Sequence, residues 1–234
     1  MRLTLRSLAA LLAYPSAELT AHVGEIREAL DGERVLPAAS RRRLEPLLRE
    51  LESDDLLDLQ ARYSELFDRS RALSLHLFEH VHGDSRERGQ ALIDLGQQYI
   101  DRGYLLAGRE LPDFVPVFVE FASCLPGGEA REMLGQPAHV FAALEERLRE
   151  RNSHYAAVFH ALIAAAGTRP GQEALEELQK NTPSDDIAKI DEEWEEPPVT
   201  FNASHEMGGP TGVVAKIRAA ARSMTVARRD GGRS

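Results

Sequence analysis

LSLHLFEHVHGDSRERGQALIDL, Leu73 to Leu95, concentrates more chemistry than any other part of this 234-residue chain. Its opening, Leu73 to His82, has a helical period. Leu73, Leu77, Phe78 and Val81 share one broad face suited to a core. His80 falls at the edge of that face, Glu79 points roughly the opposite way, and His76 lies between them. Gly83 then supplies a turn. Asp84 reads as the N-cap of a second helix, and Glu87 three residues on completes a D-x-x-E capping box. That helix is expected to run to about Gly103, with Leu92, Leu95 and Tyr99 inward. The stretch is therefore helix, tight turn, helix. His80, His82, Asp84, Ser85, Arg86 and Arg88 crowd the corner. Two arginines at a helix N-terminus oppose its dipole, and residues set against local preference point to a role beyond folding.

The same period recurs outward from this corner. Leu44, Leu47, Leu48 and Leu51 form one stripe, and Leu56, Leu59, Tyr63, Leu66 and Phe67 another. Downstream come Phe114, Val117, Phe118, Phe121 and Leu125, then Val140, Phe141, Leu144 and Leu148. Tyr155, Val158, Phe159, Leu162 and Ile163 complete the series. No segment alternates apolar and polar residues as a strand would. Pro37, Pro112 and Pro137 mark helix starts, while Gly103, Gly127-Gly128 and Gly167 mark stops. Pro46 and Pro116 sit inside periodic segments, where proline kinks or restarts a helix. Leu5, Leu8 and Leu12 make the N-terminal segment an amphipathic helix, and Pro-Ser-Ala-Glu after it is a poor signal-peptide cleavage site.

Composition narrows the function. Acidic residues outnumber basic ones 38 to 28, a formal net charge of −10. A nucleic-acid binder shows the reverse balance, whereas this charge suits a basic peptide partner. No apolar run reaches the roughly 18–20 residues of a membrane helix, so no membrane insertion is expected. The single cysteine, Cys124, excludes an intramolecular disulfide, thiolate zinc knuckles and clusters held by the chain's own thiolates. It reads as a small buried hydrophobe.

His76-Leu77-Phe78-Glu79-His80 matches H-x-x-E-H, a spacing used by some zinc peptidases. On a helix the three polar side chains share a lateral strip, so a zinc-dependent hydrolase is the alternative reading. Catalytic zinc needs a further protein ligand and an open position. Nothing in the sequence selects one among Glu145, Glu146 and Glu150.

The chain changes character after Gly167. Residues 171–196 hold ten acidic residues and two lysines, a net charge of −8, and residues 197–234 carry six bases and two acids, a net charge of +4. This reads as a charged, largely flexible tail at 171–234. A possible conditional helix lies at 211–229, where Val214, Ile217, Ala221 and Met224 share a seam.

The segment LFEHVHGDSRERGQA, Leu77 to Ala91, closely resembles the signature of the NarJ-type respiratory nitrate reductase assembly chaperones, near FEHVHG(D/E)SR(D/E)RGQAM. YSELFDRS, Tyr63 to Ser70, is similar to the family's Y-x-x-x-F-D segment, shared with the wider TorD/DmsD class of molybdoenzyme chaperones. ELPDFVPVFVEFAS from Glu110, IDEEWEEPPVTF from Ile190 and LAALLAYPSAEL from Leu8 resemble further family segments. The resemblance spans most of residues 1–201, and the basic end from about 210 is unmatched. Phe114 stands where the family pattern has His, Leu92 where Met is common, and His76 where histidine is not required. The last departure weakens the zinc reading.

The resemblance implies an all-α, single-domain helical bundle of the TorD/DmsD-like type over residues 1–170. It implies a cytoplasmic chaperone without enzymatic activity and without a cofactor or metal of its own. Such proteins bind the apo catalytic (alpha) subunit of a respiratory nitrate reductase through its N-terminal segment, a helical remnant of a twin-arginine signal. They assist insertion of the molybdenum cofactor and an iron–sulfur cluster before membrane docking, and are not part of the final enzyme. The expected partner-binding residues are Tyr63, Phe67, Phe78, Glu79, His80, His82, Asp84, Arg86 and Arg88.

Overall fold

The computed structural model describes residues 1–168 apart from Asp84, Ala107 and Arg109, together with Gly171, Leu175, Glu176 and Leu178. All of them belong to one compact unit, residues 1–193. The sequence-based tail, including the conditional helix at 211–229, otherwise lies outside the described residues.

The described residues are all-α. The order is α1 (Arg2–Leu12), α2 (Ala17–Ala21), α3 (Val23–Glu33), α4 (Ala38–Ser53), α5 (Leu56–Phe67), a 3-10 turn (Arg71–Leu73), α6 (Leu77–His82), α7 (Arg86–Asp101), α8 (Val115–Ser123), α9 (Gly127–Gly135), α10 (Ala138–Glu150) and α11 (Ala156–Ala166).

Two helices organise the core. α1 sets Leu5, Leu8, Leu11 and Leu12 fully out of solvent and packs on α8, α3 and α11. α11 is apolar almost all round, as a buried helix must be, and its alanines let α10, α9 and α4 approach closely. The stripe Leu44, Leu47, Leu48 and Leu51 of α4 is buried as its spacing predicts. So are Val140, Phe141, Leu144 and Leu148 of α10. Arg147 of α10 donates to the carbonyl of Ala72 at 2.8 Å and to that of Leu178 at 3.1 Å. Leu178 is itself buried in the core.

Several local expectations are corrected. Gly127-Gly128 opens α9 behind Pro126 rather than ending a helix, because proline fixes the φ that a first turn needs. Pro116 likewise sits in the first turn of α8. Pro46 lies inside α4. Residues 73–82 do not form one helix. The chain makes a 3-10 turn, runs extended through His76, and only then enters α6. His76 pairs as an isolated antiparallel bridge with Phe114. The N–H of Leu77 donates to the carbonyl of Asp113 at 3.1 Å, and that of Val115 to the carbonyl of Leu75 at 2.8 Å. This pairing of distant segments overrides the local helical period.

Candidate functional site

The corner is built on α6 and the start of α7. The N-cap residue of α6, His76, makes no side-chain capping bond. Asp113 caps the helix from a distance. Its Oδ2 accepts the N–H of Phe78 at 3.0 Å, and its Oδ1 accepts from His76 Nδ1 at 3.2 Å. Asp113 is fully buried, so both bonds satisfy a carboxylate that would otherwise be costly to place there. Tyr99 of α7 donates to the carbonyl of Pro112 at 2.7 Å and stacks on Phe121, ring centroids 4.1 Å apart. α6, α7 and α8 therefore converge on residues 112–114.

The turn between α6 and α7 passes through Gly83 at φ 54°, ψ −131°, a conformation open to glycine and strained for other residues. The N-cap of α7 is Ser85, without a side-chain capping bond. That replaces the expected cap at Asp84, and Asp84 itself lies outside the described residues.

The remaining expected residues divide into three groups. Tyr63 and Phe67 are core residues, 3 % and 6 % exposed. Tyr63 donates to the carbonyl of Leu12 at 2.8 Å and sits among the rings of Tyr14, Phe67 and Tyr155, and burial pushes its hydroxyl pKa up. Phe67 reaches the surface only as one wall of a cleft. That cleft, about 670 Å³, is also lined by Arg71, His76, Glu79, His80 and His82.

His80 is half-buried, and its Nε2 donates to the carbonyl of Ser74 at 2.8 Å. Burial lowers its pKa, with the Ser74 carbonyl opposing in part. His76 is raised by its bond to Asp113 against the effect of burial. His82 stands edge-on to Phe78, centroids 5.7 Å apart, and its Nδ1 lies 3.8 Å from Glu87. Val81, expected in the core, is exposed, because α6 is short and its last turn borders the cleft.

The third group lies on α7. Arg88 Nη2 donates to Glu79 Oε1 at 2.9 Å, tying α7 to α6. The Nε of Arg88 is buried without an acceptor. Arg86 is exposed.

This geometry reshapes the zinc reading. His76 sits outside the helix, and it and His80 each commit a nitrogen to a protein acceptor. Among the described residues no group of three His, Cys, Asp or Glu side chains could hold a metal ion. Asp113 and Ser74 are the contributors that sequence reasoning missed. Asp113 lay within a quoted segment, but its role depends on a contact 35–37 residues away in the chain.

Over the described residues the fold is an all-α bundle that carries the corner on α6 and α7. The chain is similar in fold to the crystal structure of an Archaeoglobus fulgidus protein described as a redox enzyme maturation protein, at TM-score 0.51 and 21 % identity over 72 % of this chain and 94 % of that one. Residues 17–161 match the family model "Nitrate reductase delta subunit", and the chain belongs to that family. It is 44 % identical to the nitrate reductase molybdenum cofactor assembly chaperone NarJ of Escherichia coli K12 over 85 % of this chain and 84 % of that protein. NarJ of Escherichia coli O157:H7 matches to the same extent.

Proposed function

We propose that this protein is an assembly chaperone for a respiratory nitrate reductase. It binds the apo catalytic (alpha) subunit through that subunit's N-terminal helical segment and assists insertion of the molybdenum cofactor before membrane docking. It acts in the cytoplasm, catalyses no reaction of its own and leaves before the enzyme is complete. The observation that carries this reading is the 44 % identity to NarJ across most of both chains.

The physical chemistry supports it. A formal charge of −10 favours encounter with a basic segment. No described helix is long and apolar enough to cross a membrane. The cleft and corner offer half-buried aromatic and imidazole groups on a braced frame, the mix that holds an amphipathic peptide. In this reading Phe78, Glu79, His80, His82, Asp84, Arg86 and Arg88 form the contact region, and Tyr63 and Phe67 hold its shape.

The test is calorimetric titration of the intact chain with the N-terminal peptide of the catalytic subunit encoded in the same genome. Saturable one-to-one binding is expected. Absence of binding by a folded preparation refutes the reading. In cells, deletion is expected to leave nitrate reductase polypeptide present but depleted of molybdenum, measured by elemental analysis of the purified enzyme.

A further inference from the structure

Helix α7 is anchored to the body by little. Of its sixteen residues only Leu95 and Tyr99 are buried. On the face turned away from them, Ile93 is 65 % exposed and Ile100 52 %. Positions seven apart differ by about 20° on an α-helix, so these isoleucines form one seam. Gly89 and Gly96 each lie four residues before one of them, on the neighbouring face, and add no side chain to it. A Cβ at Gly96 would just touch Pro112. Pro112 therefore lies beside the seam, and Leu105, Leu106 and Leu111 are exposed. Single exposed apolar residues are ordinary, but a run of them along one helix and its flanking segment marks an interaction surface.

Glu87, Asp94 and Asp101 each follow a seam position by one residue, so they form a parallel strip turned by about 100°. Asp94 and Asp101 accept from the neutral amides of Gln90 and Gln97 at 2.7 Å. No cation neutralises either of them among the described residues. Asp101 is also the last residue of α7, where a negative charge opposes the helix dipole. Exposed Arg86 opposes it at the other end. Glu87 in the first turn and Arg102 at the C-cap, which pairs with Glu129, act in the favourable sense, so each terminus carries charge of both signs.

We propose that the outer face of α7 is a docking rail for one amphipathic helix with basic residues in its N-terminal half, lying antiparallel to α7. This inference rests on the chaperone reading above and places the client segment. Apolar positions of the incoming helix at i, i+3, i+4 and i+7 cover Ile93 and Ile100, and Gly89, with open space where a Cβ would stand, allows close approach. Antiparallel packing brings the partner's positive N-terminus, with its basic side chains, to Asp101 and Asp94. It brings the partner's negative C-terminus to Arg86 and the corner cleft. A second copy of α7 does not fit, because antiparallel self-pairing sets the acidic strips against each other.

The experiment titrates the client N-terminal peptide into the full chain carrying Ile93→Asp and Ile100→Asp. Both positions are exposed, and unchanged thermal unfolding checks that the variant is folded. Binding is expected to weaken about 30-fold or more, the scale of lost apolar anchors. Wild-type binding with unchanged affinity in the double variant overturns the rail and leaves the chaperone reading intact. No binding by the wild type overturns both. Orientation is read separately. Asp101→Lys is expected to weaken binding and to be rescued by a peptide whose N-terminal basic residue is changed to Glu. Rescue only by a change in the peptide's C-terminal half overturns the antiparallel placement.

Discussion

Asp113 does more for the corner than any histidine of the motif. It is buried and holds the first turn of α6 and the ring of His76 together. Asp113→Ala leaves a donor of α6 unsatisfied and is expected to destabilise the protein by about 2–3 kcal/mol, read from urea midpoints. Asp113→Asn keeps one acceptor and should lose less. The two histidines respond to pH in opposite senses. His76 is raised by Asp113, with burial, Glu79 and Arg88 acting more weakly. Its stabilisation is full below about pH 6.5 and is lost as pH rises through the folded value. His80 is lowered by burial, with Ser74, Arg147, Glu79 and Asp113 as lesser influences. Its contribution is present above about pH 6.5 and is lost as pH falls through the folded value. His76→Gln should therefore cost more stability near pH 5.5 than near pH 8.5, and His80→Gln should flatten the acid side of the stability profile. Equal costs of His76→Gln at both pH values would remove Asp113 as the cause.

At the scale of elements, stability comes from side chains that end one helix and begin another. Glu33 at the close of α3 accepts from the backbone N–H of Leu3 and Thr4 and from the Thr4 hydroxyl, at 2.8–3.1 Å. Burial pushes its pKa up, but these bonds and the Met1 amine outweigh it and hold the carboxyl at about 2. The stabilisation is present above an unfolded value of about 4.5 and is lost as pH falls toward 2. Glu33→Gln is expected to cost about 2–3 kcal/mol at neutral pH, and denaturation curves at pH 3 should show the difference narrowing. Glu33 was invisible in the sequence, whereas Leu44, Leu47, Leu48 and Leu51 declared α4 at once. Stripes are local: each residue reports on its own helix. A remote cap is not local, and neither is the bridge of His76 to Phe114. That bridge broke the helix expected from Leu73 and removed His76 from the strip it shared with Glu79 and His80. Of the corner, the sequence therefore revealed the turn at Gly83 and the membership of α6 and α7. The stripe already set Tyr63 and Phe67 inward, but it did not reveal whether they shape the site or touch a ligand, because a helical aromatic in a stripe reads the same in both cases.

For the molecule as a whole, the governing quantity is charge. A formal −10 over 234 residues sets a long-range field that attracts a basic segment before any apolar contact forms. Long-range attraction acts on encounter, whereas the contacts that persist in the complex set dissociation. The two are separable by salt, because the Debye length falls from about 30 Å at 0.01 M to about 3 Å at 1 M. Association of the client peptide is expected to slow by about tenfold or more between low and high salt, with dissociation changing much less. Ile93→Asp with Ile100→Asp should do the reverse, speeding dissociation while the salt slope of association is preserved. Stopped-flow measurements of both rates across a salt series check this. A salt effect confined to dissociation would mean that the charges act only in contact, and the protein's acidity would then be a property of its solubility rather than of its recognition.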